Sequence, residues 1–176
     1  MIIKASANED VDVDAVIELH KQVFGATEGE SVARLAADLL RDESVKPLIS
    51  LVAMDEGQIV GHILFSSVTI EGALNCSGVI LAPLAVREAY QKSGIGTALI
   101  KEGIERARKL QADFVLVLGD PNYYQRVGFW AGHGIEPPYQ IDYPEAWMVL
   151  ELNPGAVSDI KGKVRCAEAF GKRELW

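Results

Sequence analysis

Leu81–Ile100 reads LAPLAVREAYQKSGIGTALI, and this stretch decides the architecture. Its first residues are apolar without alternation, as in a strand buried on both faces. A helix opens among Gly94, Ile95 and Gly96, about eight residues past Val86. The first N–H groups of a helix lack intrahelical partners and point outward together, and the helix dipole makes that end attractive to anions. Two glycines let a phosphate approach the backbone closely, and Lys92 adds a charge beside them. The same glycines also suit a plain strand-to-helix turn with no ligand. A Walker loop is excluded, because Thr97 and Ala98 follow Gly96 where that loop needs Lys and then Ser or Thr. The dinucleotide fingerprint fails as well, since Leu99 stands where its third glycine belongs.

Upstream, Pro83 interrupts the apolar run GVILAPLAV and has no N–H for a ladder, which predicts a bulge or a break in pairing. LISLVAMDEGQIVGHILFSSVTI reads as a hairpin around a DEGQ turn, with Gly57 supplying a positive φ. Val13, Val16, Ile17, His20 and Phe24 recur at helical spacing behind an acidic lead-in from Asn8 to Asp14. A loop GATEGE is expected next, then a second helix with Val32, Leu35, Leu39 and Leu40 on its apolar side, closed by Pro47. IIKAS near the start is a short strand.

Downstream, Leu99, Ile100, Gly103, Ile104, Ala107 and Leu110 make the buried stripe of the long helix. DFVLVLG reads as another buried strand, PNYYQRVGF as a short helix or turn, and Trp147–Leu152 as a last strand before the tail. The predicted order is β-α-α-β-β-β-α-β-α-β, without internal repeats, which suits one mixed sheet covered by helices.

The chain carries a formal net charge of -8, which argues against a nucleic-acid partner. Residues 1 to 60 hold 12 acidic against 5 basic side chains, whereas residues 87 to 109 hold 6 basic against 3 acidic. Such a distribution suits attraction of a cation at large and retention of an anion at one place, though on charge alone a solvated helix face is the better account of the basic segment. No apolar run reaches the length of a membrane span, and MIIKASANED lacks the features of a signal peptide. A cytoplasmic protein with no membrane partner is expected. Cys76 and Cys166 have no metal spacing, and no metal is expected.

Gln91-Lys92-Ser93-Gly94-Ile95-Gly96 matches the Q/R-x-x-G-x-G/A motif of the GNAT acetyltransferases, and YQRVGF at Tyr124–Phe129 resembles their second motif, Y-x-x-x-G-F. The two motifs lie 33 residues apart, which leaves room for one helix and one strand. LGDPNYYQRVGF and GKVRCAEAF extend the likeness to a bacterial subgroup of predicted acetyltransferases, over nearly the whole chain. The resemblance implies an α/β fold of α+β type, a mixed twisted sheet of about six or seven strands with helices on both faces. One domain over residues 1–176 is expected, with 151–176 as a tail packed on it.

The implied activity is transfer of an acetyl group from acetyl-CoA to a primary amine by direct attack, with no metal. In that reading Leu84, Ala85 and Val86 offer backbone groups to the pantetheine arm. Gln91, Lys92, Ser93, Gly94, Ile95, Gly96 and Thr97 cradle the pyrophosphate. Gly119, Asp120 and Tyr124 pass the thiol, and Tyr124 is the catalytic residue that protonates the departing thiolate; a role as an aromatic plug is its alternative. Tyr123 is assigned to packing. The base is open among Glu28, Glu30, Glu71, His62, His133 and water. The acceptor is a small-molecule or peptide amine, and the chain a monomer or homodimer. The alternatives are a non-catalytic acyl-CoA-binding regulatory module, or transfer of a different acyl group.

Overall fold

The computed structural model describes residues 2–5 and 12–176. Most of the acidic lead-in from Asn8 lies outside these, but Asp12 is described and caps the first helix, accepting from the N–H groups of Asp14 and Ala15 at 3.1 Å.

A mixed sheet runs through the molecule in the order β1 (Ile2–Ala5), β2 (Ile49–Asp55), β3 (Gln58–Ile70), β4 (Ala73–Val86), β5 (Phe114–Leu118), β8 (Trp147–Glu151), β6 (Trp130–Ala131). Only β4 and β5 pair in parallel within that path. A lateral pair completes it: β7 (Ile135–Glu136) joins β9 (Gly162–Arg165), which also pairs with the end of β3. Helix α1 (Val13–Arg41) covers one face and α2 (Ile95–Lys109) the other. α3 (Pro121–Tyr124) is a single turn after β5.

Each face has its own core, as a sheet covered on both sides requires. Leu99, Ile100, Ile104 and Ala107 of α2 pack with Ile63, Phe65, Leu81 and Val115, the odd-numbered positions of their strands. Leu35, Leu39 and Leu40 of α1 pack with Leu64, Ile80, Leu116 and Val149 on the other side. Strand β5 serves both, and its continuous apolar sequence follows from that.

The β2–β3 hairpin forms as its sequence predicts, with Glu56 and Gly57 both at positive φ. The expected GATEGE loop does not form. Gly25 alone leaves the helical region, at φ 69° and ψ -164°, and the helix resumes at once. The chain bends so sharply there that a Cβ on Gly29 would lie 2.6 Å from the Lys21 carbonyl oxygen. Lys21 and Glu30 close the bend with an ion pair at 3.0 Å. A single residue suffices because glycine reaches this conformation without a steric penalty. Among the described residues no helix is long and apolar enough to cross a membrane.

Candidate active site

Strands β4 and β5 pair at Gly78–Phe114, Val79–Val115 and Ile80–Leu116, and then separate. β4 stays with β3 as far as Val86, and β5 stays with β8 as far as Leu118. The predicted interruption lies at this point. Between the pairs Ile63–Leu84 and Phe65–Leu81, β3 advances by two residues and β4 by three, so β4 bulges across Ala82–Pro83. The gap opens into a cavity of about 470 Å³, walled by Leu81 and Leu84 of β4, Leu118 at the end of β5 and Gly119 after it, the middle of α1, and Glu174 to Trp176.

Register decides which backbone groups face this gap. The Arg87 N–H bonds the Val60 carbonyl at 2.9 Å, which makes Gly61 and Val86 a non-hydrogen-bonded pair. The N–H and C=O groups of Val86 and Leu84 therefore turn away from β3, towards the side that β5 has left. Those of Ala85 are committed to His62. The Val86 carbonyl already accepts from the Gln91 side-chain amide at 3.0 Å, which braces the loop that follows. The Val86 N–H and both groups of Leu84 are left to the gap.

That loop ends at the N-terminus of α2. Gly94 caps it at φ 90°, in open space. The first intrahelical bond runs from Ala98 N–H to the Gly94 carbonyl at 2.9 Å, so the N–H groups of Ile95, Gly96 and Thr97 have no partner within the helix. The Ile95 side chain is buried and anchors the turn, while Gln91, Lys92, Ser93 and Gly94 are exposed around it. Ser93 bonds back to the Tyr90 carbonyl. Gly96 has a tight neighbour that sequence reading missed: a Cβ there would lie 2.3 Å from the Tyr123 hydroxyl.

Tyr124 closes the floor. Asp120 starts its turn by accepting from the Asn122 N–H at 2.9 Å. The ring stands edge-on to Tyr123 and Phe129, with centroids 5.1 and 5.7 Å away. It lines the cavity, is 9% exposed, and its hydroxyl has no hydrogen bond with any described residue. Burial, with a smaller contribution from Tyr123, raises its pKa well above the ordinary phenol value, so it holds its proton at neutral pH.

Of the five candidate bases, Glu28 lines the cavity. Glu30 is paired with Lys21, Glu71 with Arg165 at 3.1 Å, and His133 lies between Trp130 and Trp147 beside a different cavity. His62 is fully buried: its Nδ1 lies 2.9 Å from His20 Nε2 and its Nε2 lies 3.1 Å from Ser50 Oγ. Burial lowers the pKa of both histidines. Cys76 and Cys166 are free thiols whose pKa values burial pushes up to about 11 and about 12, so neither supplies a thiolate. Among the described residues no three His, Cys, Asp or Glu side chains are grouped to hold a metal. Sequence reading also missed Phe24, Glu174 and Trp176 as cavity residues; the one signal for the last is an aromatic residue ending a polar tail.

The model of the acetyltransferase (GNAT) family matches residues 13–130, from the start of α1 to β6. The uncharacterized N-acetyltransferase YjhQ of Escherichia coli K12 is 40% identical over 163 residues, which span 89% of this chain and 88% of that protein. The fold superimposes on the E. coli GNAT family N-acetyltransferase YhbS, solved in complex with CoA, with a TM-score of 0.86 and 28% identity over 98% of this chain and 92% of that one. A Brucella melitensis GNAT family acetyltransferase, solved with acetyl-CoA, gives a TM-score of 0.75 and 30% identity over 96% and 97%.

Proposed function

The chain belongs to the GNAT acetyltransferase family, and from that premise we propose that it transfers the acetyl group of acetyl-CoA to a primary amine by direct attack. One observation carries the reading: β4 and β5 part beyond Ile80 and Leu116, and the gap holds unused backbone groups and the Tyr124 phenol. The pantetheine arm pairs with Leu84 and Val86 as an added strand. The pyrophosphate sits on the N–H groups of Ile95, Gly96 and Thr97, with Lys92 nearby. The CoA complexes of the two solved relatives support this donor.

The acceptor attacks as a neutral amine, its ammonium proton released beforehand to water. Its nitrogen lone pair forms the C–N bond at the thioester carbonyl carbon, while the Val86 N–H steadies the developing oxyanion. The C–S bond then breaks, Tyr124 gives its phenolic proton to the departing sulfur, and the proton that the new amide nitrogen sheds returns through water to the phenolate. Two unpaired thiols fit a cytoplasmic setting.

The test is calorimetry with acetyl-CoA, followed by free-thiol release across an amine panel. Binding with amine-dependent thiol release is the expected result. Binding without release for any amine would favour a non-catalytic acyl-CoA module, and absence of binding would remove the reading altogether.

A further inference from the structure

Resting on that reading, we infer that the acceptor carries a second ammonium group, held by Glu28 and Glu174 at the cavity. The cavity is lined by three side-chain carboxylates and by no Lys, Arg or His among the described residues. Asp120 already serves as the cap of α3, accepting from the Asn122 N–H and side-chain amide at 2.9 and 3.2 Å. Glu28 and Glu174 are different. They come from opposite ends of the chain, both are exposed, and neither has an ion pair or side-chain hydrogen bond with a described residue. Glu30, two positions beyond Glu28, is paired with Lys21 instead. Lys172 and Arg173 precede Glu174 but do not line the cavity.

Two negative side chains sharing a cavity without a counter-charge repel one another, and a bound cation relieves that repulsion. The same cavity is lined by the nine-tenths-buried Tyr124, whose phenol is unpartnered among the described residues. Phe24, Leu35, Leu175 and Trp176 give that cavity apolar wall beside the polar Ser31. The wall that carries Glu174 is fixed in place. Trp176 donates from its indole N–H to the Phe170 carbonyl at 3.0 Å and meets Trp147 edge-on at 5.7 Å. The volume, about 470 Å³, is that of a small-molecule site. A diamine matches this layout: one nitrogen loses its proton and attacks, while the other keeps its charge at an ordinary ammonium pKa near ~10.4.

The experiment compares kcat/KM of the full chain for an α,ω-diaminoalkane and for the n-alkylamine of equal carbon number. The diamine should be preferred roughly ten- to hundredfold, the range of one charge-assisted contact. Glu28→Gln together with Glu174→Gln should bring the ratio towards one, and added salt should lower it in the parent. Glu30→Gln, outside the cavity, should keep the parent's ratio. Equal use of both amines, a ratio unchanged in the double variant, or acetyl-CoA binding without transfer to any diamine would overturn the inference. Calorimetry with acetyl-CoA separates the two levels: binding with indifferent amine choice sinks only the diamine, whereas absence of binding sinks the donor reading and this one with it.

Discussion

Gly119 lies directly under the ring of Tyr124, so closely that a Cβ on Gly119 would lie 2.3 Å from the Tyr124 Cε2 atom and 3.0 Å from Cδ2. The phenol is thus positioned from below by the absence of a side chain, and from the sides by Tyr123 and Phe129. Gly119→Ala must push the ring into the cavity. Overpacking of this kind costs about 1–3 kcal/mol, or a few degrees of Tm in a chain of this size. Displacing a positioned group by about 1 Å costs ~10² in rate. We therefore expect kcat to fall about a hundredfold with a small loss of Tm. A Gly119→Ala enzyme with the parent's kcat would mean that the position of Tyr124 is immaterial to turnover.

Gly96 stands in the same relation to Tyr123, at 2.3 Å from its hydroxyl. Gly96 makes room for a tyrosine and, in the proposed function, stays open to a phosphate, and two substitutions separate these roles. Gly96→Ala should cost stability through the Tyr123 contact, and the added change Tyr123→Phe should return most of it. Gly96→Asp should keep the helix, since an acid suits its N-terminus, yet block the pyrophosphate by charge and bulk. Calorimetry should find acetyl-CoA affinity lost in the Asp variant, with Tyr123 intact or changed to Phe. A folded Asp variant that binds as tightly as the parent would place the pyrophosphate elsewhere.

The parts legible in sequence were those with their own period or punctuation. Helix α2 shows its stripe from Leu99 to Ala107, the hairpin shows its Glu56-Gly57 turn, and Pro83 marks the bulge that opens the gap. Strands β6 and β7 have two residues each, too few to carry any periodicity. The bend at Gly25 looks like a loop in sequence because polar residues on an exposed helical turn resemble loop residues. Glu174 and Trp176 reach the cavity only through tertiary packing on Trp147 and Phe170, and no local pattern encodes such a contact. The glycine-tyrosine contacts were hidden for the same reason.

The His20–His62 pair predicts a loss of stability on mild acidification. Both rings are completely buried, and neither has a carboxylate partner among the described residues. Burial lowers the His20 pKa to about 4, below the 6.5 of an unperturbed histidine, and shifts His62 the same way. Between those values the unfolded chain binds protons that the native chain refuses, so stability is complete above about pH 6.5 and falls as pH drops towards about 4. His20 alone accounts for about 3 kcal/mol. Tm measured from about pH 7 to about pH 5, above the main carboxylate range, should decline in the parent and decline less in His20→Leu. Parallel Tm profiles for the two proteins would show that the pair is not the cause.

Tyr124→Phe tests the chemistry most directly. The substitution keeps the ring against Gly119, Tyr123 and Phe129 and removes only the hydroxyl. That hydroxyl makes no hydrogen bond to a described residue, so its loss leaves no buried partner unsatisfied, and Tm should stay close to the parent's. Acetyl-CoA affinity should also hold, because the proposed pyrophosphate and pantetheine contacts rest on α2 and β4. Turnover should not hold. Removing a positioned general acid costs ~10² to 10⁴ in rate, or roughly 3 to 5 kcal/mol of barrier. An aromatic plug predicts the opposite pattern, with turnover retained because the plug is still there. The raised pKa sharpens the contrast, since the phenol stays protonated throughout the neutral range and no falling alkaline limb from its ionisation should appear in the parent's pH profile there. The measurement needs an accepted amine, then kcat, acetyl-CoA affinity and Tm for both proteins. Unchanged kcat, with the chemical step shown to limit turnover, would remove Tyr124 as proton donor and leave the donor site on α2 and β4 standing.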